Sequence, residues 1–205
     1  MSKSFYSLGL MSGTSMDGID VSIIKSDGDI KFEGILNKYF QYTEDFHKNL
    51  VNIRDKINSS EDLKIYSKEL KVLGKEITLL HSKAINEVIK EVNFNIDFVG
   101  FHGQTIFHNA DEKISKQLGD GNLLSQLVKK KVVYDFRQND LRNGGQGAPL
   151  TPIFHKLISQ EIKIDLPICV LNLGGIANIT AIDSDTNSTL VSSDIGPGNC
   201  LIDEW

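Results

Sequence analysis

Cysteine is scarce in this sequence. The only two, Cys169 and Cys200, sit in apolar or Gly-rich surroundings and are too few for a disulfide framework. They read as free thiols suited to a reducing compartment. No run approaches the roughly 20 apolar residues of a membrane span. Residues Met1–Tyr6 pass straight into a strand-like segment without the apolar centre of a signal peptide. These absences point to a cytoplasmic protein. Basic residues are outnumbered, 22 Lys and Arg against 27 Asp and Glu for a net charge of -5, which speaks against a nucleic-acid binder, because neutralising phosphates needs a basic face. A local anion site is not excluded, since Gly-rich loops hold phosphate with backbone N–H groups. No Gly-Lys-Ser/Thr run completes a P-loop, and no His/Cys set has zinc-ligand spacing.

What is present suffices for a sizeable core: 205 residues, 40% of them hydrophobic, with an ordinary 24% charged. The pattern predicts strands over Phe5–Leu10, Ile19–Ile24 and Phe32–Tyr42, a sheet built from hairpins and not a βαβ unit. A helical region follows from Thr43 to Val92, broken near Asn58-Ser59-Ser60, with Ser60 as an N-cap. Beyond it, Leu63, Tyr66, Leu70, Leu73, Ile77, Leu80 and Ala84 recur at alternating spacings of three and four. Ile85, Val88, Ile89 and Val92 widen that stripe, so it reads as a helix laid on a sheet and not a coiled coil. Further strands are expected over Ile96–Phe101, Val132–Tyr134, Ile168–Leu173, Ala177–Ile182 and Leu190–Ser193, with helices over Asn122–Lys130, Pro149–Ser159 and from Leu201. The strand–Gly-turn–strand at Phe5 has a counterpart at Ile168, which suggests two similar lobes, residues 1–165 and 166–205, facing across a cleft.

Five segments are richer in Gly, Asp, His, Asn and Gln than structure alone requires: Ser12–Asp20, Gly100–His108, Asp135–Pro149, Asn172–Thr180 and Asp194–Asp203. In the first, Gly13 and Gly18 permit tight turns, and Ser12, Thr14 and Ser15 offer hydroxyls that could wrap phosphate oxygens. Asp17 and Asp20 could position Mg²⁺ directly or through water; a turn-stabilising or buried, paired role competes for Asp20. His102 and Gln104, two apart at an expected strand end, could hydrogen-bond a polar ligand, or His102 could be structural. Asp135 and Arg137 could grip sugar hydroxyls and a carboxylate, or pair with each other. Gly174 and Gly175 form a second candidate phosphate turn. Asp194, expected at a helix start, is either a general base or a cap. His108 is a lesser candidate; His47, His81 and His155 are expected on helices without catalytic duty.

Leu10-Met11-Ser12-Gly13-Thr14-Ser15-Met16-Asp17-Gly18-Ile19-Asp20, His102-Gly103-Gln104-Thr105, Gly144 to Leu150, Asn172 to Asn178 and Gly196-Pro197-Gly198-Asn199 together resemble the signature blocks of the anhydro-N-acetylmuramic acid kinases. The resemblance implies an α/β fold of the actin/hexokinase/Hsp70-like (ribonuclease H-like) kind, with duplicated lobes of which this chain would carry the second only in part. It implies ATP and Mg²⁺ as cofactors, a small amino sugar as substrate and a homodimeric full-length protein. The implied reaction opens 1,6-anhydro-N-acetylmuramic acid with water while phosphorylating its 6-oxygen, in cell-wall recycling. By the same resemblance Asp194 is the base and Gly13, Thr14, Ser15, Met16, Asp17, Gly18, Ile19 and Asp20 form the ATP-phosphate segment. Thr14, Asp17, His102, Gln104, Asp135 and Arg137 would surround the sugar and the transferred phosphate. Some members carry a further Arg where this chain has Gln138 and Asn139. Because members of the family continue well past the position of Trp205, an inactive fragment that binds only sugar or nucleotide is the alternative expectation.

Overall fold

The computed structural model of the protein describes residues 3–183 and 190–203. One mixed sheet is built from β1 (Phe5–Ser12), β2 (Gly18–Ser26), β3 (Phe32–Gln41), β4 (Phe98–Asn109), β5 (Ile114–Leu118) and β6 (Lys131–Tyr134). Its order is β3-β2-β1-β4-β5, with β6 also beside β4. Strands β1 to β3 form the expected antiparallel meander. The hairpin-only expectation stops there: β4 returns parallel to β1, and β6 runs parallel to β4. Both crossovers pass through helices, as parallel pairs require.

Alternation in β2 explains which face is covered. Ile19, Val21 and Ile23 are buried while Asp20 between them is exposed. Against the buried face lie α1 (Glu44–Arg54) and α3 (Ser67–Ile89). Leu70, Ile77, Ala84, Ile85 and Val88 of α3 are buried with Leu8, Leu10, Val99 and Phe101 of the sheet in one cluster. Fully burying a Leu, Ile, Val or Phe side chain contributes about 1.5–3 kcal/mol. The stripe therefore marks a helix on a sheet. Leu63 and Tyr66 fall outside α3, because a separate short helix α2 (Asp62–Ile65) precedes it. The expected Ser60 cap is not used. Asp62 closes that break, accepting from the Asn58 and Ser59 amides and the Ser59 hydroxyl.

Beyond the sheet, α4 (Gly121–Val128) starts at Asp120, whose side chain accepts from Leu123 N. A short α5 (Gln138–Arg142), unmarked in the sequence pattern, follows β6, and α6 (Pro152–Glu161) begins later than expected. A second, antiparallel sheet holds β7 (Ile168–Leu173), β8 (Ile176–Ile182) and β9 (Leu190–Pro197) in that order. Helix α6 packs on it: His155 Nδ1 lies 2.9 Å from the Thr180 hydroxyl, and Thr180 is fully buried. Phe154 also reaches Phe32 of β3, so α6 touches both sheets. The other face of the second sheet leaves Leu171, Leu173 and Val191 exposed. The last described element is α7 (Cys200–Asp203); residues 204 and 205 of the expected helix lie outside the described residues. No helix among the described residues is long and apolar enough to cross a membrane.

Two corrections bear on the site. Strand β4 runs on through Asn109 and pairs with β5, so His102 and Gln104 lie inside a strand instead of at its end. Strand β9 extends to Pro197, placing Asp194 in the strand opposite Asn178, not at a helix start.

Candidate active site

The β1–β2 turn is held at three carbonyls. Gly13 O accepts from Met16 N at 3.2 Å, closing the turn, and from Gln104 Nε2 at 2.8 Å. Met16 O lies 3.0 Å from His47 Nδ1, and Asp17 O accepts from Tyr42 N at 2.8 Å. Met16 itself is left-handed at φ 60, a conformation unfavourable for a side-chain-bearing residue, while its side chain is 1% exposed in the core. Ser12 is consumed internally. Its hydroxyl bridges Tyr42 OH and His81 Nε2, and His81 Nδ1 donates to Ile77 O at 2.8 Å. That leaves Nε2 as acceptor for the Ser12 proton and Ser12 Oγ as acceptor for Tyr42. Burial pushes His81 down to about 4 and Tyr42 up to about 12, because a buried site penalises the charged form of each.

Thr14, Ser15 and Asp17 remain at the turn surface. Ser15 Oγ donates to Asp17 Oδ1 at 2.6 Å. Asp20 is raised by partial burial and by the Asp17 charge, and Tyr39, bonded to Asp17, is raised by burial and by both acids. Asp17, Asp20 and Tyr39 are thus one electrostatic neighbourhood with surplus negative charge. Among the described residues no group of three or more His, Cys, Asp or Glu forms a metal cage.

Arg137, beyond the end of β6, organises the next part. Its Nε and Nη2 donate to His102 Nε2 at 3.1 and 2.9 Å, and Nη1 donates to Gly147 O at 2.7 Å. His102 Nδ1 in turn donates to Gly103 O at 2.7 Å. Burial, reinforced by the guanidinium, holds His102 down to about 4, so it is a neutral acceptor at pH 7. The contact of Arg137 with His102 replaces the alternative Asp135–Arg137 pair. Asp140 Oδ2 accepts from Gly147 N at 2.7 Å, so the 144–150 loop is tied from two sides. Three of the five guanidinium N–H groups are used among the described residues. Burial lowers Arg137, and the nearby Asp194 charge offsets part of that shift; burial and Arg137 lower His108, with Asp194 opposing them.

The third part joins the two sheets. Gly198 N donates to Gly175 O and Asn199 N to Gly174 O, at 2.9 and 2.8 Å, so the 172–178 and 196–199 segments are one unit. Thr14 Oγ1 occupies the space where a Cβ on Gly175 would lie, and Asn199 Oδ1 is 4.0 Å from that point. Asn199 Oδ1 and Gln104 Oε1 are buried without a partner among the described residues. Contacts join the segments: Thr14 to Gly175, Gln104 to Gly13, Arg137 to His102 and Gly147, and Gly198 and Asn199 to the Gly174–Gly175 turn.

The sequence reading missed His47 and Tyr42. The signal was available, since β3 pairs with β2 as far as Gly18↔Gln41. The residues that follow β3 must then start beside the turn tip.

Two sheets whose Gly-rich turns meet, with Thr14 against Gly175, define a mixed α/β protein. The family model for anhydro-N-acetylmuramic acid kinase matches residues 5–205, and the chain belongs to that family. Proteins of that name from Pelagibacter ubique, Brucella canis and Rhodopseudomonas palustris are 61%, 38% and 39% identical to it. The alignments cover 100%, 97% and 97% of the chain and 55%, 54% and 54% of those relatives. The chain spans about half the length of the curated relatives it matches.

Proposed function

We propose that these residues serve an ATP-dependent kinase that opens 1,6-anhydro-N-acetylmuramic acid and yields the 6-phosphate of the open sugar. The observation that carries the reading is the meeting of Thr14 with Gly175, which brings the Gly-rich turns of the two sheets together. Family membership supports the substrate. In this reading the two sheets belong to two duplicated lobes, residues 1–165 and 166–205. Each opens with a three-stranded antiparallel meander whose first hairpin has a Gly-rich turn.

Asp194 takes a proton from water as the water oxygen bonds to C1 of the sugar. The C1–O6 bridge breaks, and O6 accepts the γ-phosphoryl group as its bond to the leaving ADP breaks. The segment Gly13–Asp20 and the turn at Gly174 and Gly175 hold the phosphates with N–H groups and the Thr14 and Ser15 hydroxyls. Asp17 and Asp20 fit a Mg²⁺ site: they repel each other, and Mg²⁺ usually takes one or two carboxylates, keeping water and phosphate oxygens for its other positions. When bound, the ion would neutralise phosphate charge during transfer. Asp135 and Arg137 would orient the sugar and its carboxylate, with His102 fixing the guanidinium. Gln104, fully buried with its amide nitrogen committed to Gly13, would act on the sugar and phosphate side by holding the turn in place.

The test is to incubate the chain with ATP, Mg²⁺ and the anhydro sugar in ¹⁸O-labelled water. A 6-phosphorylated, reducing sugar with label at C1 is expected. Unlabelled product would overturn the role of water, and no product with both ligands bound would restrict these residues to binding.

A further inference from the structure

We propose that His47 is a positioning residue for the 13–16 turn, holding the Met16 carbonyl and with it the backbone kink that aims the turn into the cleft. The inference rests on reading that turn as the phosphate-binding segment. Met16 is held left-handed at φ 60, a conformation that is costly for a residue other than Gly. Such a conformation persists only when its surroundings over-determine it. Three contacts do so here. The Met16 side chain is anchored in the core at 1% exposure, Met16 N donates to Gly13 O, and His47 Nδ1 lies 3.0 Å from Met16 O. A carbonyl oxygen only accepts, so Nδ1 carries the proton.

The position of His47 is set independently of any ligand. Helix α1 begins at Glu44 after the Thr43 cap, and Phe46, Leu50 and Ile53 bury its inner face. His47 is thereby fixed on the flank facing the turn. Gln104 grips the other end at Gly13 O. Residues 14 and 15 are thus suspended between a helix and a strand, with Thr14 against Gly175. Removing the His47 donor leaves Met16 free to relax toward ordinary backbone, which rotates the Met16 and Asp17 amides and shifts Thr14.

The experiment compares the unsubstituted chain with His47→Phe, which keeps a ring but has no donor, and His47→Asn, whose amide N–H can replace Nδ1–H. Affinity for ATP with Mg²⁺ is measured by titration calorimetry, alongside the thermal midpoint and the backbone amide NMR shifts of residues 13–17. His47→Phe should weaken binding about tenfold, the scale of one hydrogen bond. It should also shift the 13–17 amides, and His47→Asn should restore both to within about threefold. Unchanged binding in His47→Phe overturns the inference alone. Equal losses in both variants, tracking a fall in thermal midpoint, reduce His47 to a structural residue and also overturn it. No ATP binding by the unsubstituted chain overturns the phosphate reading, and this inference with it.

Discussion

Replacing Gly175 by Ala and, separately, Gly198 by Ala separates the chemistry of the cleft from its scaffold. A Cβ on Gly175 would overlap Thr14 Oγ1 and stand 3.4 Å from Thr14 Cβ. Only the side-chain oxygen has to move, and a rotation about χ1 moves it. Gly175 is not among the positive-φ residues, so Ala there should also lower unfolded-state entropy by about 0.4–1 kcal/mol. The two effects nearly offset, giving a stability change under about 1 kcal/mol, or a thermal midpoint within about 2–4 °C for a chain this size. Function should not be spared. If the Thr14 hydroxyl contacts the transferred phosphate, its displacement should cost about 100-fold in turnover, the usual scale for ångström-level misplacement. A Cβ on Gly198 meets backbone instead: it would overlap the Gly174 carbonyl oxygen and lie 3.1 Å from Ala177 N. Backbone cannot rotate away, and the Gly198–Gly175 and Asn199–Gly174 bonds would be lost. Gly198→Ala should therefore destabilise by about 1–3 kcal/mol. Urea unfolding and ATP titration on both variants decide the matter. A Gly175→Ala protein that binds and turns over normally would refute the placement of Thr14, and a fully stable Gly198→Ala protein would refute the turn-on-turn contact.

Other outcomes follow from single groups. Ser12→Ala leaves buried Tyr42 and His81 without their shared partner and should cost about 1–3 kcal/mol in chemical denaturation. Arg137→Lys removes the fork that reaches both His102 and Gly147, so sugar affinity should fall at least tenfold and the 144–150 loop should exchange its amides faster. His81 and His102 are held neutral, lowered by burial to about 4 in the folded chain from an ordinary 6.5. The unfolded chain then binds more protons between those limits. Stability is fully present above about pH 6.5 and is lost as pH falls toward 4, by roughly 3 kcal/mol for His81 alone. Urea unfolding across that range should show a flatter slope in His81→Gln, and an identical slope would contradict the buried neutral histidine.

Much of the fold was legible because it depends on local period and turn chemistry. Ile19, Val21 and Ile23 alternate around Asp20, and the Leu70–Ala84 stripe has helical period. The turns at Gly13 and Gly174 mark where the chain reverses between paired strands. What escaped was set by partners distant in sequence. Strand β4 keeps going past His102 because β5 pairs with it across the bulge at Thr105/Phe107, and no residue in His102–Asn109 announces that partner. Asp194 reads as a turn acid beside Gly196-Pro197, yet pairing with β8 keeps it in a strand. The five candidate segments were visible as composition. Their linkage was not, because Gln104–Gly13 spans 91 residues, and the Thr14–Gly175 approach needs two separate sheets.

The most direct measurement is the initial rate of ADP release with ATP, Mg²⁺ and 1,6-anhydro-N-acetylmuramic acid, for the unsubstituted chain and for Asp194→Asn. The account predicts sugar-dependent turnover that drops at least 100-fold in the variant, with ATP and sugar affinity within about threefold of the parent. Equal rates in the two proteins, or ADP release that ignores the sugar, would contradict it.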